Sequence, residues 1–406
     1  MKNILVVNNI PFNPVAGGIE RVTDVLTKAL IEKGYHIYYL CGNKESFSSN
    51  LLNYDFPAPL YFLPNSDFFT NEENVAYYTM ILNKFSIDIV INQRGLRGCW
   101  PNLTLPNKDS SSFKSIKILN VVHSVPNVYT IQFLKSIEES LSYSTNLKDL
   151  IKVIIKKIFL PILLMFWKRV ADNELKKEYR LLATHSDAII TLSDEYSKTI
   201  KKYIGNNEVI VQNIPNPTAF TCEAISIRDK EKIVLWVGRL DVEKNPYRML
   251  EVWKRIQNKH QDWKLYIIGD GVERHNIFQY IKVNHLKNVV CVGAVADVTS
   301  YYKRGCIVCN TSDYEGWPMV LNEAMTFGCI SFSFDGYGAV SEIIESNVNG
   351  VQIPAYDVKY YAQSLHKLMQ NEKKMKTMYE KTLLKSKSFS LENVVKSWIK
   401  LFETLN

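Results

Sequence analysis

Several things are scarce or missing in this chain of 406 residues, and each absence closes off a class of function. No Asp-x-Asp occurs anywhere, so a metal bridging a diphosphate is not implied and no bound cofactor is expected. No Gly-x-Gly-x-x-Gly occurs either, which disfavours a nicotinamide dinucleotide. The cysteines (41, 99, 222, 291, 306, 309 and 329) are odd in number and scattered, a pattern of reduced, buried thiols rather than of a disulfide framework. Cys306 and Cys309 do form a C-x-x-C. They bracket Ile-Val in an expected strand, so they should face opposite ways, and no second pair or histidine cluster suggests zinc. No apolar run is long enough to span a membrane: Ile158–Trp167 falls far below the ~20 residues required. The opening Met1-Lys2-Asn3-Ile4-Leu5-Val6-Val7 is a strand start, too short for a signal-peptide core, so a cytoplasmic location is expected. Repeats and low-complexity segments are absent.

What is present describes a folded α/β protein. Hydrophobic residues make up 46% and charged residues 22%, and the length allows two or three domains. The net charge of +8 suits anionic phosphates, an anionic membrane or nucleic acid. The basic residues are not gathered with aromatics into a recognisable nucleic-acid module, so nucleic acid is not expected as a partner.

Short apolar runs recur between helical patterns. In the first half they are Ile4–Asn8, Tyr35–Leu40, Ile87–Asn92, Ile116–Val122, Asp187–Leu192 and Val209–Asn213. Pro215-Asn216-Pro217 then breaks the pattern, and 216–230 reads as a linker. Strands resume at Ile233–Val237, Lys264–Ile268, Val289–Gly293, Ile307–Asn310 and Ile330–Phe334, and after Pro354 the pattern is helical. Buried parallel strands alternating with helices predict two doubly wound domains, 1–215 and 231–385, followed by an amphipathic helix in 386–406 carrying Trp398 and Phe402.

The chemistry concentrates where strands hand over to helices. After the strand at Cys306–Cys309, Gly316 supplies a turn and Pro318 suits the first position of a helix running to about Gly328. Glu315 then lies in the loop and Glu323 inside the helix, beside backbone N–H groups that favour phosphate. Two carboxylates would repel phosphate, so they fit hydroxyls on either side of it better. Taken singly, each glutamate has an ordinary reading as a solvated or dipole-favoured residue. Arg239 and Lys244 share one strand-to-helix loop and can grip a single anion. Gly17-Gly18 is either a plain loop or a close backbone approach to phosphate, and Gly269 either caps a strand or lines a cleft. His123 sits at the carboxyl end of a strand, where open α/β sheets bind ligands, although a lone histidine there is more often structural.

Taken together, the Glu315 and Glu323 pair, the Glu315-Gly316 dipeptide, the Glu323-Ala324-Met325 run and the closing Gly328 resemble the E-x7-E signature of retaining glycosyltransferases of the GT-B class, family 4 type. The Gly238-Arg239-Leu240…Lys244-Asn245 string resembles the diphosphate loop of the same enzymes. The resemblance implies two Rossmann-like domains facing across a cleft, with the final helix crossing back to the first. It implies a nucleotide-sugar donor, of the UDP type, held by Gly17, Gly18, Arg239, Lys244, Gly269, Glu315, Gly316, Trp317, Pro318, Met319, Val320 and Glu323. Within that set Glu323 would take the ribose and Glu315 the sugar; Arg239 and Lys244 would stabilise the leaving diphosphate, His123 would bind the sugar, and Val295 or Ala296 would touch the base. Pro215-Asn216-Pro217-Thr218 departs from the family's usual Pro-Asn-Gly at the linker without touching a catalytic role.

Leu147–Arg169 combines lysines with Phe, Leu and Trp, which fits a helix lying on an anionic membrane; the alternative is a core helix with a basic wet side. The membrane reading suggests a glycan acceptor that is lipid-linked, as in surface-polysaccharide assembly. Two other classes stay open: a nucleotide-sugar epimerase of the same fold, and a non-catalytic nucleotide-sugar-binding subunit.

Overall fold

The computed structural model describes residues 2–14, 17–48, 52–65, 71–94, 115–128, 130–131, 147–221 and 225–405, with 147–163 described by backbone alone. Cys99 and Cys222 lie outside the described residues. Two parallel sheets carry the fold. The first has seven strands in the order β3-β2-β1-β4-β5-β6-β7. They are β1 Asn3–Val7, β2 His36–Cys41, β3 Leu60–Phe62, β4 Ile89–Asn92, β5 Lys117–Val122, β6 Ala188–Thr191 and β7 Ile210–Asn213. The second has six, in the order β10-β9-β8-β11-β12-β13: β8 Glu231–Val237, β9 Lys264–Ile268, β10 Val289–Gly293, β11 Gly305–Asn310, β12 Ile330–Phe334 and β13 Gly350–Ile353. The expected doubly wound architecture is therefore present twice. Order reverses between β1 and β4 in one sheet and between β8 and β11 in the other, which are the places where such sheets open a crevice.

The strands are apolar on both faces because both faces are covered. In the first sheet Ile4, Val6 and Ile91 pack on one side with Leu26 and Leu30 of helix α1 (Gly18–Glu32), while Leu5, Val7 and Val90 pack on the other with Tyr78, Ile81 and Leu82 of α2 (Glu72–Lys84). Helix α3 (Leu147–Thr184) extends well beyond the basic stretch and carries Pro161 inside it. Its last turns bury Leu175, Tyr179 and Ala183 against Ile200 and Ile204 of α4 (Asp194–Ile204). In the second sheet Val234, Trp236, Ile307 and Cys309 face α5 (Pro246–Ile256), which contributes Met249, Leu250 and Trp253. Helices α6 (Arg274–Val283), α7 (Thr299–Arg304), α8 (Met319–Thr326), α9 (Ala339–Ile343), α10 (Val358–Met369) and α11 (Glu372–Ser386) complete that half.

The last helix, α12 (Leu391–Thr404), returns to the first domain. Val394, Val395, Trp398, Leu401 and Phe402 are buried in the cluster built on Ile4 and Val6. The two halves also share a core: Val125, Val128, Leu192 and Tyr196 of the first pack with Trp317, Leu321, Tyr337 and Val340 of the second.

One expectation about the cysteines fails. Cys306 and Cys309 both belong to the cluster facing α5, because the β11–β8 register shifts between Gly305 and Ile307 and the bulge resets the alternation. They remain free thiols, as do Cys41, Cys291 and Cys329.

Candidate functional site

Two loops leaving the second sheet at its switch point are tied into one body. The first, between β8 and α5, ends at Asn245, whose left-handed φ of 49° and side-chain cap on Arg248 N–H start α5 at Pro246. The second, between β11 and α8, runs from Thr311 to Pro318. Thr311 joins them: its hydroxyl donates to the Asn245 carbonyl at 2.8 Å and accepts from Trp236 Nε1 at 2.9 Å. Tyr314 Oη donates to Glu243 at 2.7 Å. Gly269 explains how the first loop is supported. It has φ of +138°, and a Cβ there would lie 1.9 Å from the Gly238 carbonyl. It thus stands behind the loop that carries Arg239 and is not among the residues lining the cavity between the domains.

Between these loops and the first domain lies a cavity of about 520 Å³. Gly17, Gly18 and Arg21 line it from the first domain; Arg239, Lys244, Glu315, Trp317, Met319 and Val320 line it from the second. Most of the expected donor-binding residues therefore meet here. Two helix N-termini converge on it, α1 after Gly17 and α8 after Pro318, and among the described residues neither has a side-chain cap. Pro318 is the cap residue and not the first residue of the helix, and Gly328 follows the helix end with φ of +78°.

Every cation on the cavity wall meets a carboxylate. Lys244 Nζ lies 2.6 Å from Glu315 Oε1, which also accepts from Ser312 Oγ at 2.8 Å. Arg239 reaches Asp241 at 3.1 Å and Glu243 at 3.6 Å from an exposed position. Arg21 Nη2 lies 2.7 Å from Glu323 Oε1. Glu323 itself is only 2% exposed and lies behind Arg21 instead of on the wall. Burial pushes its carboxyl pKa up, against the pull of Arg21 and of the Tyr302 hydroxyl at 3.3 Å. Neither Arg21 nor Ser312 stands out in the sequence; the first has the look of an ordinary helix cation and the second of a loop residue.

Gly316 serves proximity, not a turn. Its φ is outside the left-handed region, yet a Cβ would lie 1.7 Å from the His123 carbonyl oxygen, so the residue is where the second domain meets the end of β5. The His123 side chain is not on the cavity wall: Nε2 pairs with Gln93 Oε1 at 2.6 Å. With that oxygen accepting, the proton sits on Nε2 and Nδ1 remains an acceptor, buried and with no partner among the described residues. Burial, and then the Arg94 charge, push its pKa down to about 3, so the ring is neutral. Val295 packs half-buried against the shared core and Ala296 is exposed, both off the cavity wall.

Among the described residues no helix is long and apolar enough to cross a membrane. The part of α3 with described side chains exposes Met165, Phe166 and Trp167 beside Lys168 and Arg169. The lysines expected to join them, Lys148, Lys152, Lys156 and Lys157, have side chains outside the described residues.

Residues 220–384 match the family model of glycosyl transferases group 1. The chain is 32% identical over 170 residues to the amylovoran biosynthesis glycosyltransferase AmsD of Erwinia amylovora, covering 42% of this chain and 47% of that protein. It is 29% identical over 194 residues to an N-acetylgalactosaminyltransferase of Campylobacter jejuni whose name specifies an undecaprenol-diphosphate-linked acceptor, covering 47% and 54%. These matches span about half the length of the curated relatives. Among solved structures, Anabaena HepE in complex with UDP superposes with a TM-score of 0.71 at 14% identity, each chain covered fully (100%). The lipopolysaccharide outer core galactosyltransferase WaaB gives 0.68 at 17% identity, covering 100% of this chain and 99% of that one. The fold is GT-B.

Proposed function

Since its second domain belongs to the group 1 glycosyl transferases, we propose that the protein transfers a sugar from a nucleotide sugar, of the UDP type, to a glycan acceptor with retention at the anomeric carbon. The observation that carries this reading is the pairing of Lys244 with Glu315 at the open N-terminus of α8. A bare anion that took the lysine would leave Glu315 unpaired. A nucleotide sugar brings its diphosphate to Lys244, Arg239 and the helix end, and hydroxyls to the carboxylates on either side. Positive groups already aimed at the developing charge supply the main electrostatic demand of the step. In this reading Glu315 takes the donor sugar, while Glu323 and His123 Nδ1, buried off the wall, take the ribose and a sugar hydroxyl when donor binding uncovers them. The protein's own cations make the transfer metal-independent.

The acceptor we propose is lipid-linked, in surface-polysaccharide assembly at the inner face of the membrane. Met165, Phe166 and Trp167, flanked by Lys168 and Arg169, would rest on an anionic lipid surface. The name of the Campylobacter relative, with its undecaprenol-diphosphate-linked acceptor, supports a lipid-linked acceptor.

The test is a panel of nucleotide sugars incubated with the protein, EDTA and a bacterial lipid extract, with Arg239→Ala and Glu315→Ala alongside. Release of nucleoside diphosphate from one donor, dependent on lipid and lost in both variants, supports the reading. An epimerised donor in the same tubes would replace it with an isomerase, and unchanged but bound donor with a binding subunit.

A further inference from the structure

The cleft wall has a member from the first domain that none of the roles above uses. Arg21 stands in the first turn of α1, on the wall with Gly17 and Gly18, and shares that turn with Glu20, whose carboxylate lies against Gly17. A Cβ on Gly18 would lie 4.0 Å from Met319 Cγ, so the starts of α1 and α8 approach each other at this point. The Arg21 guanidinium lies between them. One nitrogen, Nη2, is fixed by Glu323 of the second domain, and Glu323 is fixed in turn by Tyr302. Its Nε is buried with no partner among the described residues. An arginine N–H left unpaired out of water is costly unless something else supplies the acceptor.

Resting on the nucleotide-sugar reading for the identity of the donor, we propose that Arg21 is the first domain's own ligand for the diphosphate, oriented by Glu323 across the domain boundary. Two features favour phosphate as the acceptor. A guanidinium presents several N–H donors in one plane, so it can keep Glu323 on one edge and take an anion's oxygen on another. The open start of α8 beside it, with no acidic residue in its first turn, favours negative charge in the same place. Arg239 and Lys244 come from the second domain alone. Adding Arg21 makes the anion site complete only when both domains close on it, so phosphate binding and closure become one event. Glu323 is a positioning residue in this arrangement as well as a ribose partner, since a carboxylate has lone pairs for both.

The experiment measures binding of UDP, uridine and inorganic pyrophosphate to the intact protein by calorimetry, for wild type, Arg21→Lys, Arg21→Met and the pair Arg21→Met/Glu323→Gln. The pair removes the buried unpaired carboxylate that Arg21→Met leaves behind, and thermal melts establish that each variant is folded. The expected result is a loss of about tenfold or more for UDP and pyrophosphate in Arg21→Met, a loss of the same size for pyrophosphate in the pair, partial recovery in Arg21→Lys, and little change for uridine in the two single variants. In Arg21→Met, equal losses for UDP and uridine, or none for pyrophosphate, would overturn the proposal, because Arg21 would then act only by holding Glu323. Wild type that binds pyrophosphate but not UDP would count against the nucleotide-sugar reading while leaving Arg21's phosphate role to be judged on pyrophosphate.

Discussion

Lys244 and Glu315, from loops that follow different strands, meet at 2.6 Å on the cleft wall. The contact is mostly enclosed, with the two side chains 25% and 11% exposed, so solvent screens it less than a surface pair. Removing either partner leaves the other charged and short of contacts. Lys244→Ala and Glu315→Gln should each lower kcat by about a hundredfold, and the double variant should lose far less than the product of the two. Steady-state kinetics on all three variants decides it: strictly multiplicative losses would show that the residues act independently.

Gly316→Ala tests the approach of the domains. The new Cβ would sit 1.7 Å from a backbone carbonyl of the first domain, which cannot rotate away as a side chain could. The second domain's fold should survive while the domains are held apart. We expect at least about a tenfold fall in kcat/KM with a larger radius of gyration by small-angle scattering. Normal kinetics at an unchanged radius would refute this account of the glycine.

Trp398→Ala removes an indole that is 4% exposed in the cluster shared by α12 and β1. The expected cost is about 3–5 kcal/mol, in the range for large aromatic truncations. Urea unfolding followed by a probe in the first domain should show it as a lower midpoint. A variant with wild-type stability would mean that the helix is only loosely docked.

Two histidines set a pH dependence. His123 is held at about 3 by burial and the Arg94 charge, and His260 is lowered by burial and the neighbouring His366, 2.7 Å away. Both folded values lie below the unfolded value of about 6.5, so the unfolded chain binds more protons as pH falls through that value. Their contribution to stability is therefore full at neutral pH and lost on acidification. His123→Gln should narrow the difference in unfolding free energy between pH 7.5 and pH 5, and an unchanged difference would remove His123 from the account.

How much of this is legible in the sequence? The long central strands can be read because both of their faces are buried, which leaves near-continuous apolar runs such as Ile4–Val7. Leu60–Phe62 cannot, because a strand of three residues at a sheet edge has too few positions to show a period. Gly350–Ile353 reads only as a prelude to helix, since its Gln352 interrupts the run. The loops that carry Arg239, Lys244 and Glu315 are legible because charge and glycine sit at fixed offsets from a strand end. Glu323's burial, Arg21's place on the wall and the reason for Gly316 are not, because each depends on a residue far along the chain in the other domain. The extent of α3 is hidden as well: its basic, apolar-rich stretch ends near Arg169, yet the helix runs on to Thr184.

The return of α12 to the first domain sets an order of assembly during synthesis. Chains emerging from a ribosome generally complete their leading domain first. Here the leading domain's apolar cluster lacks Val394, Trp398 and Phe402 until almost the whole described chain has been made. The second domain, whose α-helices and strands lie within 231–386, takes only Phe389 from beyond them into the described core, so most of its packing can form before the first domain is sealed. A chain released at residue 385 would thus carry a trailing half short of Phe389 alone and an exposed, unsealed leading half, the species for which a chaperone would be needed.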